Sequence, residues 1–392
     1  MGPAGDSDGR TSDRLSEAAA DAVSGVDRRE FLRTMAAGGY TVGVASWLGL
    51  GDVIRVGEDP VTIVTALVRS DPDDPFSLEE RTRTVPAGWY AAVSQAFELN
   101  ELLARSAIAG YLGSAVVPTS YDDAGARITV EVSVDTDSIR EVINRVFDGF
   151  SVNIDAIRNL DDIEEERIVR EPQVLEATSA GSIPGGVACE TEASVATLGP
   201  ALYDNDTEDA YFSTAEHAFS PTEITEDAPV SVPFDSGEIA PLGTVASAYS
   251  VPDVAIIDPN ETFTPSSTIQ STSEYTVIGQ LTKFGLADLV ARGESIRKVG
   301  AMTGETTGDI QGIDAVSCLT SPSCRRGQLR WGDESDMTDG DSGSVSFYPD
   351  PEGDGTQVLV ASFNNARTWW PGQSYVWGTA AHHFTDRYGY HF

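Results

Sequence analysis

Between Thr338 and Phe347 the chain reads TDGDSGSVSF, placing Ser342 directly after Asp341 with Gly340 and Gly343 on either side. A serine hydroxyl is a poor nucleophile at neutral pH unless an adjacent base takes its proton, and histidine suits that task because its pKa lies near the working pH. Of four histidines, His382, His383 and His391 fall in the last eleven residues, which leaves His217, in YFSTAEHAF, as the one internal base. Glycine at 340 permits a backbone turn that other residues resist, so that its N–H and that of Ser342 can point at a developing oxyanion. Losing one such donor costs about 3 to 4 kcal/mol in comparable sites.

Other chemistry is not expected. The terminal HHFTDRYGYHF brings His382, His383, Asp386 and His391 close in sequence, but it reads as a closing strand or short helix with exposed imidazoles. DNDTED and DPEGDG carry oxygen ligands without the spacing of a calcium loop. GETTGD lacks the lysine of a phosphate-binding loop. No metal and no cofactor is predicted.

The elements that must position Ser342 and His217 lie after Gly186, where short β-rich runs are separated by Gly, Pro, Asp and Asn. Examples are PDVAIIDP, TVIGQLTKFG, GSVSFYPD and TQVLVASF, with almost no helix pattern among them. About 200 residues built this way predict a barrel or sandwich. Before them, VTIVTALV, RITVEVSVD and FSVNIDAI read as strands, and GWYAAVSQAFELNELLARSAIAGYL and DSIREVINRVF as helices, a small α+β unit. NLDDIEEERIVREP and SAGSIPGG mark a boundary. Four segments result: 1–56 a leader and signal, 57–160 the α+β unit, 161–182 a linker, and 183–392 the β-rich domain.

Charge sets the surroundings. The 392 residues carry 62 Asp plus Glu against 25 Lys plus Arg, a formal net charge of −37, and the only lysines are Lys283 and Lys298. Such a chain repels nucleic acid and anionic lipid, and its self-repulsion is relieved by salt. The composition resembles proteins of salt-loving archaea. With 40% hydrophobic residues the chain is a globular one.

Near the N-terminus, Arg28, Arg29 and Arg33 precede a stretch from Thr34 to Gly51 without a charge. RREFLR resembles a twin-arginine export signal, which implies the twin-arginine machinery as a partner and an extracellular or cell-surface location. The alternative is an uncleaved segment that anchors the protein in the membrane. Cys318 and Cys324 flank LTSPS and suit a local disulfide that leaves Cys189 free; pairing of Cys189 with either of them is the alternative.

YFSTAEHAF, PDVAII and DGDSGSVSF occur in the order His, Asp, Ser, and together they resemble chymotrypsin/trypsin-like serine proteases. In that family the histidine follows a Thr-Ala pair, as His217 follows Thr214 and Ala215 with one residue between. The aspartate precedes a short apolar strand, as Asp253 precedes VAII, and the serine lies in Gly-Asp-Ser-Gly. KVGAMTGETTGDIQGI is similar to the strand pair that opens the family's second barrel. Glu216 stands where a smaller residue is more usual, and Ser344 replaces the commoner glycine.

The resemblance spans roughly residue 183 to the C-terminus. It implies a mainly β fold, a chymotrypsin-like double β-barrel domain preceded by a small α+β N-terminal pro-domain or accessory domain. It also implies a serine endopeptidase that hydrolyses protein or peptide substrates through an acyl-enzyme. His217, Asp253 and Ser342 would be the triad, with Asp258 the second choice for the carboxylate. Gly340 and Ser342 would supply the oxyanion hole, and Asp341 and Gly343 would support the loop. Asp336 lies where trypsin-like members place the aspartate that binds a basic side chain. RIV at Arg167 and SIPGG at Ser182 are candidate mature N-termini. The alternative is a non-catalytic trypsin-fold binding or cell-surface protein. A different serine hydrolase is disfavoured, because GDSGS lacks the fifth glycine of the nucleophile elbow.

Overall fold

Alternation of inward and outward side chains along β1 (Val61–Arg69) and the charged face of β2 (Leu78–Val85) makes these two an antiparallel hairpin with β2 at a sheet edge. Charged side chains on such an edge discourage further pairing. The computed structural model describes residues 60–105, 110–123, 125–133, 152–156, 171–176, 181–219, 227–272, 274–318, 324–370 and 373–392. The arginine-rich segment, RIV at Arg167 and DSIREVINRVF lie outside the described residues. No helix among the described residues is long and apolar enough to cross a membrane.

Helix α1 (Ala87–Arg105) buries Trp89, Val93, Ala96, Phe97 and Leu103 along one face. It ends earlier than its sequence pattern predicts. GYL begins the strand β3 (Tyr111–Pro118), which pairs with β4 (Ala126–Val132), itself parallel to β5 (Val152–Ala156). The run of small and β-branched residues in β3 finds partners on two sides, and that pairing outweighs the helical periodicity before it.

β6 (Ser182–Gly185) joins the larger sheet, and the first barrel uses β7 (Ala188–Glu190), β8 (Val195–Thr197), β9 (Leu202–Asp204), β10 (Ala210–Thr214), β11 (Pro229–Pro233), β12 (Ile239–Tyr249) and β13 (Val254–Pro259). Its sheet runs β9-β10-β13-β12-β11-β7-β8. The sheet curls until the Gly199 N–H, just after β8, donates to the Ser213 carbonyl in β10 at 2.9 Å. Leu198, Phe212, Val230, Val232, Leu242 and Ile257 fill the interior.

The second barrel follows β14 (Thr264–Ile269), β15 (Tyr275–Leu281) and a helix, α2 (Lys283–Arg292). That helix corrects the reading of TVIGQLTKFG as wholly β. Thr282 caps the helix by accepting the Gly285 N–H, and Gly293 closes it with φ 68°. The barrel strands are β16 (Ser295–Gly300), β17 (Gly304–Ser317), β18 (Arg325–Trp331), β19 (Val345–Pro349), β20 (Gln357–Trp370) and β21 (Gln373–Ala380). Antiparallel pairings β16·β17, β17·β18, β18·β21, β21·β20, β20·β19 and β19·β16 close the ring. A two-residue strand, β22 (Tyr390–His391), returns to β9.

The strands of the α+β unit are hydrogen-bonded into the second barrel's sheet. β1 pairs antiparallel with β15, and β3 with β17. One apolar core runs through both, from Trp89, Val93 and Ile128 to Leu286, Ile313 and Trp331. An ion pair between Glu131 in β4 and Arg330 in β18, at 2.5 Å with side chains 1% and 3% exposed, crosses the same seam.

Candidate active site

His217 sits in a single 3₁₀ turn, Glu216–Ala218, at the end of β10. Asp253 occupies the turn between β12 and β13, fully buried and with φ 57°, a left-handed conformation that a non-glycine residue adopts only when its surroundings hold it. Its two oxygens grip the histidine twice. Oδ1 accepts the His217 backbone N–H at 2.9 Å, and Oδ2 lies 2.8 Å from Nδ1. Burial alone would push the Asp253 carboxyl up, but the hydrogen bond and charge of His217 and the charge of Arg325 together hold it below the usual carboxylate range. With Nδ1–H committed to the carboxylate, Nε2 is the nitrogen left to take a proton.

Ser342 is on the connection from β18 to β19, so this serine belongs to the second barrel while His217 and Asp253 belong to the first. Gly343 explains how the barrels meet there. It has φ 96°, and a Cβ on it would stand 2.1 Å from the Thr197 carbonyl oxygen, 2.6 Å from Thr214 Oγ1 and 3.0 Å from the Ala215 nitrogen. Only glycine lets the loop settle against the turn that carries His217. The Ser342 carbonyl accepts from the Thr197 N–H at 2.9 Å. Along the loop, the Asp341 N–H donates to Thr338, that of Gly343 to Asn364 and that of Ser344 to Asp341, whereas those of Gly340 and Ser342 have no acceptor among the described residues. Gly340 has φ 94°.

Asp341 is buried beneath the loop. It accepts the N–H groups of Met302 at 2.8 Å, Thr303 at 3.1 Å and Thr338 at 2.9 Å, and the Thr303 hydroxyl at 2.8 Å. Lys298 Nζ lies 3.2 Å from its Oδ2, with both side chains at 0% exposure.

No protein-family model and no curated protein matches the chain. Among solved structures it is similar to Thermobifida fusca Protease A, at 18% identity and a TM-score of 0.38, over 54% of this chain and 97% of that one. It is similar to Cellulomonas bogoriensis chymotrypsin at 16% identity and a TM-score of 0.37, over 53% and 97%. These neighbours are chymotrypsin-like serine proteases.

Two residues at the site carry no sequence signal. Arg325 Nη1 lies 2.8 Å from Asp253 Oδ2, the same oxygen that faces His217. Lys298 stands on β16, and nothing in its surroundings in sequence points to Asp341. Asp258, the second choice for the carboxylate, lies exposed near the end of β13 while Asp253 holds the histidine. Glu216 turns away and accepts from Ser250 Oγ at 3.0 Å. Asp336 caps its own turn, accepting the Asp333 N–H at 2.8 Å. Cys318 and Cys324 are joined, and Cys189 is a buried free thiol that burial pushes up to about 12. The terminal imidazoles are not exposed: His382, His383 and His391 are 5%, 4% and 1% accessible. They are buried because β22 pairs with β9 and Phe384 and Phe392 enter the core, and His391 stands apart from the other two, bonded to Asn205 and to the Pro75 carbonyl.

Proposed function

We propose that the protein is an exported serine endopeptidase in which Ser342 is the nucleophile, His217 the general base and Asp253 the orienting carboxylate. The observation that carries this reading is the double grip of Asp253 on His217, with the Ser342 loop seated against residues 214 and 215 through Gly343. As Ser342 Oγ attacks the substrate carbonyl carbon, its proton passes to His217 Nε2 and the carbonyl electrons move to oxygen. The amides of Gly340 and Ser342 receive that oxyanion. Collapse breaks the C–N bond, His217 returns the proton to the leaving amine, and water then cleaves the acyl-enzyme by the same steps in reverse.

Asp341 is already paired with Lys298, which supports a loop that is organised without a newly liberated N-terminus. Export by the twin-arginine route and function in high salt belong to the same reading, on the arginine pair and the charge. Residues 57–160 are proposed as an accessory unit that stays with the barrels, on the pairings of β1 and β3. Peptide hydrolysis by the full chain tests the central assignment. Ser342→Ala and His217→Ala should abolish turnover, and Asp253→Asn should lower kcat by about 10⁴, as loss of the orienting carboxylate does in comparable triads. Turnover that survives Ser342→Ala would overturn it.

A further inference from the structure

Away from Ser342, the C-terminal segment gathers a second set of reactive side chains. His382, His383 and Asp386 each offer a ligand atom, and these atoms lie within 4.8 Å of one another. The two rings stack with centroids 4.2 Å apart. His382 Nε2 and both ring nitrogens of His383 are buried without a hydrogen-bond partner among the described residues. A buried imidazole must carry at least one N–H, and the acceptor that His383 Nε2 faces, Asp314 Oδ1 at 3.6 Å, lies beyond hydrogen-bond reach.

The surroundings make room for the rings and for an ion. Gly327, with φ 70°, leaves space that a Cβ would take, since that carbon would stand 2.2 Å from Cδ2 and Nε2 of His383. His382 Nδ1 is 3.2 Å from Asp386 Oδ2, which holds the carboxylate beside the two imidazoles. His383 Nε2 faces Asp314 Oδ1 at 3.6 Å, and Asp314 is itself 3.3 Å from Lys283 Nζ. Two carboxylates against one ammonium leave an excess negative charge for a cation to neutralise. A cavity of about 480 Å³, lined in part by His382, Thr385, Asp386 and Lys283, reaches two of the three residues from the side of β1. It gives a hydrated ion a way in and leaves space for a water ligand.

We propose that His382, His383 and Asp386 form a binding site for a divalent transition-metal cation of the zinc class. Two imidazoles with one carboxylate and an open position suit such an ion better than calcium or magnesium, which take oxygen ligands. Asp386, with 64% of its side chain exposed, is the ligand free to close the remaining distance. The ion takes no part in the peptidase steps proposed for Ser342. Its consequence is mechanical: the ion would fasten the C-terminal turn to the seam between the second barrel and β1.

The experiment uses the full chain carrying Ser342→Ala, so that its outcome is independent of peptidase activity. Chelator-treated protein, in sodium chloride concentrated enough to screen surface carboxylates, is titrated with Co²⁺ as a spectroscopic probe and then with Zn²⁺. The expected result is one Co²⁺ per chain with ligand-field absorption, displacement by Zn²⁺, and a rise in Tm with either ion but not with Mg²⁺. Asp386→Asn, a change at an exposed side chain, should weaken binding at least about tenfold while leaving circular dichroism unchanged. His383→Gln should abolish it. Absence of cobalt absorption, or binding unchanged in Asp386→Asn, would overturn the proposal.

Discussion

Asp253 Oδ2 faces two basic groups at once, the imidazole of His217 and the guanidinium of Arg325, each at 2.8 Å. The charge of Arg325 is one of the influences that keep the buried carboxyl ionised. Arg325→Gln should therefore move acid unfolding to higher pH, and an unmoved acid transition would remove Arg325 from the account. Because the Asp253 carboxyl is held below its ordinary range near ~3.9, its contribution to stability is present at neutral pH and is lost as pH falls through that lower value. Lys298 is a stronger case. Replacing it with methionine leaves Asp341 as an unpaired buried charge, which should cost about 3 to 5 kcal/mol, read from the denaturant midpoint at unchanged m-value. Ser342 and His217 were legible in the sequence because glycines bracket the one and the other histidines crowd the terminus. Lys298 was not, since its partner lies 43 residues away and only the closed barrel brings them together.

At the level of elements, the α+β unit is tied to the second barrel by main-chain pairing, a shared core and the Glu131–Arg330 ion pair. A chain reduced to residues 183–392 would expose the free edges of β15 and β17 and the apolar side chains that α1 covers. It should aggregate or lose its cooperative melt, whereas a truncated chain melting at the temperature of the full one would show the unit to be dispensable. The strand periodicity of β1 and β4 could be read directly, because their alternation is local. Helix α2 was hidden: FGLADLV continues the apolar run of β15, and only the Thr282 cap marks the change. The helix-to-strand switch before β3 was hidden for the converse reason, since the pairing with β17 that favours the strand involves residues about 200 positions away.

Over the whole molecule, a net charge of −37 means that the compact state is opposed by its own field. Salt shortens the reach of that field, so Tm should climb with potassium chloride from about 0.1 M into the molar range. A flat or falling Tm would assign the stability to the buried pairs and the two barrels alone. The β-rich class and the His, Asp, Ser order were visible in the sequence, but the closure of the second barrel depends on pairings between distant strands and was not. The central claim is that these barrels bring an activated serine to His217. Its most direct test is to treat the full chain, folded in concentrated salt, with a fluorophosphonate and locate the adduct by mass spectrometry. The account predicts one adduct, on Ser342, absent in His217→Ala; no adduct in the folded wild type, or one elsewhere in the chain, would contradict it.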